Sequence, residues 1–360
     1  MPSAPSSLTA STASTASTPA AASISSGPAP TRRTLLAAGG ALGLGALLTA
    51  CGDDKPAATG PDHQGWSFKD DRGTTARTKG TPRRIVAYIG AAAALHDLGV
   101  ECTGVFGPTK LKNGEPDVQA ADIDVDKVTV LGNEWGRFNV EKYASLKPDL
   151  LVTTMNVSPT LWYVPEESAG KIAAVAPTVG ILTGRTSLTQ AIGRFSELAG
   201  ALGADLAAAE VKAAKKRFEE ASEKLRRAAR ARRGLKVMAV SATPDLLYVG
   251  NPADFTDLRH YRELGVEFVT PDSTGKDGFF QEVGWENADK YRADLILVDR
   301  RTGNLQPADL KRTKPTWAKL PAVRAGQVTS WFNEAQFSHA GYAPLVERLA
   351  DSLDAAKSLA

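Results

Sequence analysis

The chain has 360 residues, 42% of them hydrophobic and 23% charged, with a formal net charge of +3 and two cysteines. That length supports two domains with cores of their own, and two cysteines exclude a disulfide-rich scaffold. The near balance of charge excludes the strongly basic surface that a nucleic-acid binder presents, and the one basic cluster, Arg226 to Arg233, alternates with alanine where a helix end favours cations.

Residues 1–30 are almost entirely Ser, Thr, Ala and Pro, too poor in large apolar groups to build a core, and are expected to form an extended leader. Arg32-Arg33 then precedes a small-residue apolar segment ending at Leu48. Such a core is too short to span a bilayer, so the twin-arginine pair and the core predict an export signal. Leu48-Thr49-Ala50-Cys51 resembles the bacterial lipobox, which implies that the Cys51 thiol carries a diacylglyceryl group and that residues 1–50 are removed. Residues 51–80, rich in Gly, Asp, Lys and Thr, are expected to act as a flexible tether, with Trp66 and Phe68 docking on the body. Cys102, left without a partner once Cys51 is lipidated, is expected to be a small buried hydrophobe.

The body divides around one stretch. Leu188, Ala191, Ile192, Phe195, Leu198, Ala199 and Leu202 recur at three-and-four spacing, Ser187 and Gln190 supply a capping box, and Gly203 closes the end. The spacing predicts an amphipathic helix over 186–203, followed by a second helix over about 205–233. On either side the same pattern repeats: an apolar run (85–89, 235–240), then Leu-Gly-Val-Glu (98–101, 264–267), then Asp-Leu and a further apolar run (149–152, 294–298). Two strand-and-helix alternations joined by one helical crossing imply two α/β lobes with parallel sheets, 81–185 and 204–360, bridged by one long α-helix. In lobe two the pattern also predicts a helix over 286–291.

No nucleophile elbow, Walker loop, His-Glu-x-x-His or metal-spaced cysteine pair is present. The four histidines are scattered, so no metal site and no catalytic group is assigned. The large aromatics, in contrast, fall off the periodic faces: Trp135, Trp162, Tyr163, Phe280 and Trp331 lie in loops or at strand ends. In open parallel sheets ligands bind beyond the carboxyl ends of the strands, so these rings are expected to wall a cleft between the lobes. Arg137, beside Trp135 and Phe138, is the candidate cation, its planar guanidinium suited to a carboxylate or a chelate oxygen.

Six segments in order resemble the solute-binding proteins of bacterial ABC importers for ferric siderophores, haem and cobalamin. They are Thr81–Val86, Leu98-Gly99-Val100, Asn139 to Leu150, Lys171 to Thr178, Asp294 to Val298 and Leu320 to Gly326. The resemblance implies two Rossmann-like lobes bridged by one long helix, and a binding role without catalysis or a resident cofactor, the iron arriving inside its chelator. It places ligand contacts at Trp135, Arg137, Met155, Trp162, Tyr163, Phe280, Trp331 and Asn333. It implies docking of the permease through Glu166 or Glu167 in lobe one and Asp257 in lobe two, on a protein held at the outer face of the cytoplasmic membrane through Cys51. A ferric siderophore is the expected ligand. Cobalamin or haem is the alternative within the family, haem calling for an axial Tyr88 or His339, and an exported enzyme on the same fold is the rival from outside it.

Overall fold

A computed structural model describes residues 65–275 and 278–359. The leader, Arg32-Arg33, Cys51 and the first part of the expected tether lie outside the described residues. The described chain begins with an antiparallel pair, β1 (Ser67–Lys69) and β2 (Thr75–Arg77). Lobe one follows as β3 (Ile85–Tyr88), α1 (Ile89–His96), β4 (Gly104–Phe106), β5 (Thr129–Val130), α2 (Val140–Ser145), β6 (Leu150–Met155), α3 (Glu166–Val175) and β7 (Thr178–Leu182). Its strands form one sheet in the order β5-β4-β3-β6-β7, every pair parallel. The continuous runs Ile85–Tyr88 and Leu150–Met155 are buried throughout, as strands covered on both faces must be. The helix between two of them, α1, buries every residue from Ile89 to Leu95, because it is packed on all sides.

The crossing helix is α4 (Leu188–Ala201), and the buried residues on it are the apolar stripe read from the sequence. The Ser187 hydroxyl accepts from the Gln190 amide at 3.1 Å, the predicted N-cap. It touches α1 and β7 of lobe one on one side. On the other it meets α6 (Thr256–Glu263) of lobe two. α5 (Ala209–Ala231) then lies along the last helix, α10 (His339–Ala355). Between them run β8 (Lys236–Ala242), β9 (Leu246–Gly250), α6, β10 (Glu267–Phe268), β11 (Phe280–Gly284), β12 (Leu295–Asp299), α7 (Pro307–Thr313), α8 (Pro315–Lys319), α9 (Pro321–Arg324) and β13 (Val328–Trp331). No described helix is long and apolar enough to cross a membrane.

Lobe two corrects the expectation of a purely parallel sheet. β8, β10, β12 and β13 pair in parallel, but β9 pairs antiparallel with β8 and β11 antiparallel with β9. The reason is the connection: Thr243 and Leu246 bond across a tight turn, and so short a link can join only antiparallel neighbours. The helix expected over 286–291 shrinks to one 3-10 turn, Trp285–Asn287, because the Trp285 indole is pinned to the Thr243 carbonyl at 3.2 Å and Tyr291 turns back to Gln281.

The end of the expected tether is also corrected, since residues 66–77 fold onto the body. The Trp66 indole donates to the Ala201 carbonyl at 2.8 Å, and Arg194 of α4 donates to the Asp71 carboxylate at 2.7 Å while its guanidinium lies 4.8 Å from the Phe68 ring centre. Asp70 and Asp71 accept from the Gly180 and Leu182 amides of β7 at 3.0 and 2.8 Å. Two carboxylates thus satisfy the outer edge of the sheet, which would otherwise expose unpaired amides.

Candidate functional site

The carboxyl ends of β3, β4 and β6 carry one wall of the site. After Met155 the chain doubles back, and the Trp162 amide donates to the Thr154 carbonyl at 2.9 Å while the Thr153 hydroxyl donates to the Trp162 carbonyl at 2.8 Å. Tyr163 then adopts φ +59, a left-handed conformation that costs a non-glycine residue on the order of 1 kcal/mol. Its ring stacks on Tyr88 at 5.3 Å between centroids. Trp135 comes from a second turn, closed because Gly132 has no Cβ: one built there would sit 1.5 Å from the Arg137 carbonyl oxygen. The Trp135 ring lies 4.7 Å from Trp162 and 5.0 Å from Tyr163 and remains 42% exposed. Gly107, at φ +94 after β4, leaves room for Tyr88, whose ring a Cβ would approach to 2.7 Å. Trp135 and the half-buried Trp162 therefore present the accessible part of an aromatic cluster, with Tyr163, buried at 8% exposed, and Tyr88 beneath them.

Lobe two meets this wall through Glu334, on the turn between β13 and α10. One of its oxygens, Oε2, accepts from the Tyr88 hydroxyl at 2.6 Å, the Gln119 amide at 3.0 Å and the Trp162 indole at 3.2 Å. Its other oxygen receives the Arg301 guanidinium. Arg301 follows β12 and also donates to the Asp299 carboxylate, at 2.9 Å from Nε and 2.7 Å from Nη2. Burial alone would push the Asp299 carboxyl up; the Arg301 charge and the hydrogen bonds from Arg301 and Ser241 more than reverse this and hold it below the usual range. Burial pushes the Tyr88 hydroxyl well above the ordinary phenol value, and the Glu334 charge adds to that, so Tyr88 is held as a donor.

The structure brings Trp135, Trp162 and Tyr163 together as expected and separates several other candidates from them. Met155 is fully buried beneath the wall and offers no contact surface. Trp331 is buried within lobe two, its indole donating to Asp257 at 2.7 Å and its ring edge-on to Phe255 at 4.9 Å. A polar acceptor available inside the lobe is what draws this ring inward. Phe280 is half-buried, packed on Phe255 at 4.9 Å. Asn333 is half-buried on the turn beside Glu334, and Arg137 is exposed on the Trp135 turn. Glu166 and Glu167 are exposed in the first turn of α3, whereas Asp257 is 2% exposed and faces inward, so it is no surface docking residue. Of the two residues considered for haem, His339 packs on Phe218 of α5 at 5.3 Å and the Tyr88 hydroxyl donates to Glu334 at 2.6 Å. Among the described residues no group of three or more His, Cys, Asp or Glu side chains could hold a metal ion. Burial pushes the Cys102 thiol up to about 12, keeping it protonated.

Gln119, Arg301 and Glu334 were not singled out from the sequence. The signal available for the arginine was Asp299-Arg300-Arg301 directly after an apolar strand, at the end where ligands gather.

Two titrating groups on α6 oppose each other. Burial raises Asp257 to about 7 against the hydrogen bonds from Trp331 and Leu258, and burial lowers His260 to about 4. Between about pH 4 and 6.5 the folded protein holds a proton on Asp257 that the unfolded chain lacks, so stability falls as pH rises. Over the same range the unfolded chain holds a proton on His260 that the folded protein lacks, so stability rises. The two slopes, each about 1.4 kcal/mol per pH unit, cancel. Asp257→Asn is therefore expected to unmask the histidine: denaturant unfolding at pH 4.5 and 6.5 should show the variant gaining on wild type by a few kcal/mol. Parallel profiles would contradict the assignment.

Residues 86–335 match the periplasmic binding protein family. Among solved structures, the fold is similar to that of DesE, a ferric-siderophore receptor from Streptomyces coelicolor. The identity is 51% and the TM-score 0.79, over 82% of this chain and 100% of that one. It is also similar to the siderophore periplasmic binding protein from the fuscachelin gene cluster of Thermobifida fusca, at 22% identity and TM-score 0.55, over 76% and 96% of the two chains. The petrobactin-binding protein YclQ of Bacillus subtilis shares 17% identity at TM-score 0.61, over 81% and 99%. The last two likenesses bear on the fold. No curated protein sequence matches the chain.

Proposed function

Because the chain belongs to the periplasmic binding protein family, we propose that it is the extracytoplasmic receptor of an ABC importer, capturing a ferric siderophore and handing it to the permease. The observation that carries this reading is the face shared by the two lobes: the rings of Trp135 and Trp162, backed by the buried Tyr163, set beside hydrogen-bond donors from both lobes. The iron of such a ligand is coordinated by its chelator, so the protein has to supply flat apolar surface and donors to the chelate oxygens. Rings and donors of that kind are what the two lobes offer here. The 51% identity with a ferric-siderophore receptor over that protein's whole length supports the same ligand class.

Cys51 is the proposed lipid attachment point, reached by twin-arginine export, and Glu166 or Glu167, both exposed, is the proposed lobe-one docking residue for the permease.

Tryptophan-fluorescence titration against a ferric hydroxamate, a ferric catecholate, haem and cobalamin tests the reading. Trp135 and Trp162 are expected to respond saturably to a ferric siderophore and not to haem or cobalamin. Saturable binding of haem or cobalamin alone would replace it.

A further inference from the structure

Resting on the reading of the lobe interface as the ferric-siderophore site, we propose that Glu334 is a built-in competitor for the ligand. Its carboxylate holds the donors that the anionic oxygens of a bound chelate take over, so the site selects chelates that present such oxygens.

Three features carry this. The first is an excess of donors. Oε2 of Glu334 meets the Tyr88 hydroxyl, the Gln119 amide and the Trp162 indole, from three separate segments of lobe one, while a carboxylate oxygen has two lone pairs to offer. The Gln119 amide shares itself further with the Tyr88 oxygen at 2.8 Å. One side-chain oxygen thus underfills a cluster that two or more chelate oxygens, each carrying part of a negative charge, would fill better.

The second is that the contact can be released locally. Glu334 sits on a short turn closed by the Ala335 amide and the Phe332 carbonyl at 3.2 Å, so its departure unwinds no helix and breaks no strand pair. Arg301 keeps Nε and Nη2 on Asp299 when Glu334 leaves, which retains its charge compensation. The third is position. Two of the lobe-one donors belong to or adjoin the aromatic cluster, since Trp162 is part of it and Tyr88 stacks beneath Tyr163, and the third, Gln119, donates to the Tyr88 hydroxyl. A flat chelate lying on the rings would bring its oxygens to where the carboxylate now sits.

The test is the affinity of the wild-type chain, Glu334→Ala and Glu334→Gln for a ferric trihydroxamate, measured by fluorescence titration. Removing a competitor strengthens binding: Glu334→Ala is expected to bind about tenfold tighter and Glu334→Gln, which keeps an acceptor but loses the charge, about threefold. The gain should shrink when Glu334→Ala is combined with Gln119→Leu, because one of the donors that the ligand would inherit is gone. A second readout needs no ligand: the Trp162 emission of Glu334→Gln should shift as the indole loses its charged partner. The conservative glutamine decides the matter if the alanine variant fails to fold. Unchanged or weaker binding by a folded variant, with wild type binding normally, overturns the competitor role alone. Failure of wild type to bind any ferric chelate overturns the proposed function and this inference with it.

Discussion

Replacing Arg301 with leucine is expected to destabilise the protein by roughly 3–5 kcal/mol near neutral pH, the cost of removing one partner from a buried ion pair. Its own side chain is 11% exposed, and those of Asp299 and Glu334, with which it pairs, are 0% and 12% exposed. Without the guanidinium, Asp299 keeps the Ser241 hydroxyl and the Arg301 amide, too little to offset burial of a full charge. The sign with pH follows. Asp299 is now held below the usual carboxylate range, so it contributes stability that is present above the unfolded value and lost as pH falls. In Arg301→Leu burial is left to dominate, the Asp299 carboxyl rises, and the loss should be largest above neutrality and shrink towards pH 4. Adding Asp299→Asn should recover much of it, since an amide carries no charge to bury. A loss below about 1 kcal/mol at pH 7.5 would mean that the pair is hydrated and contributes as a surface pair does.

Trp162→Ala is expected to weaken binding of a ferric siderophore by about thirtyfold, and Trp162→Ala with Trp135→Ala by a hundredfold or more. Tryptophan at the centre of an interface is typically worth 2 kcal/mol or more on truncation. The indole of Trp162 also brings a donor, which stands on Glu334 at 3.2 Å. Trp135 is the more exposed of the two and packs against both Trp162 and Tyr163, so its removal alone should cost less while loosening the remaining rings. Titration of the three variants, with unfolding curves to separate binding from stability, checks the order. Equal affinity across the series would place the ligand elsewhere on the surface.

Most of the fold could be read from the chain because its signals are local. The stripe from Leu188 to Ala199 with its Ser187 cap specified α4, and the apolar runs at 150–152 and 295–298 specified buried parallel strands. Strand direction was harder. An apolar run says that a strand is buried and nothing about its partner, so β9 and β11 were legible as antiparallel only through the tight turn after Ala242.

The site divides in the same way. That Trp135, Trp162 and Tyr163 cluster was legible because large rings outside the periodic faces have to be accounted for. Trp331 looked alike in sequence and lies inside lobe two, since Asp257, on a different element, supplies an acceptor for its indole. Glu334 gave no local signal. Its lobe-one donors stand 246, 215 and 172 positions away, and only the folded chain brings them to one carboxylate.

The central claim is that a ferric chelate lies between the lobes, against the rings of lobe one and within reach of Arg301. The most direct measurement is the position of the iron, located by its anomalous scattering in crystals of the complex. The account predicts one iron between the lobes, its chelator stacked on Trp135 or Trp162 and its oxygens on the Tyr88, Gln119 and Arg301 donors, with Glu334 displaced. An iron bound on an outer face of either lobe, with the Glu334 contacts intact, would contradict it.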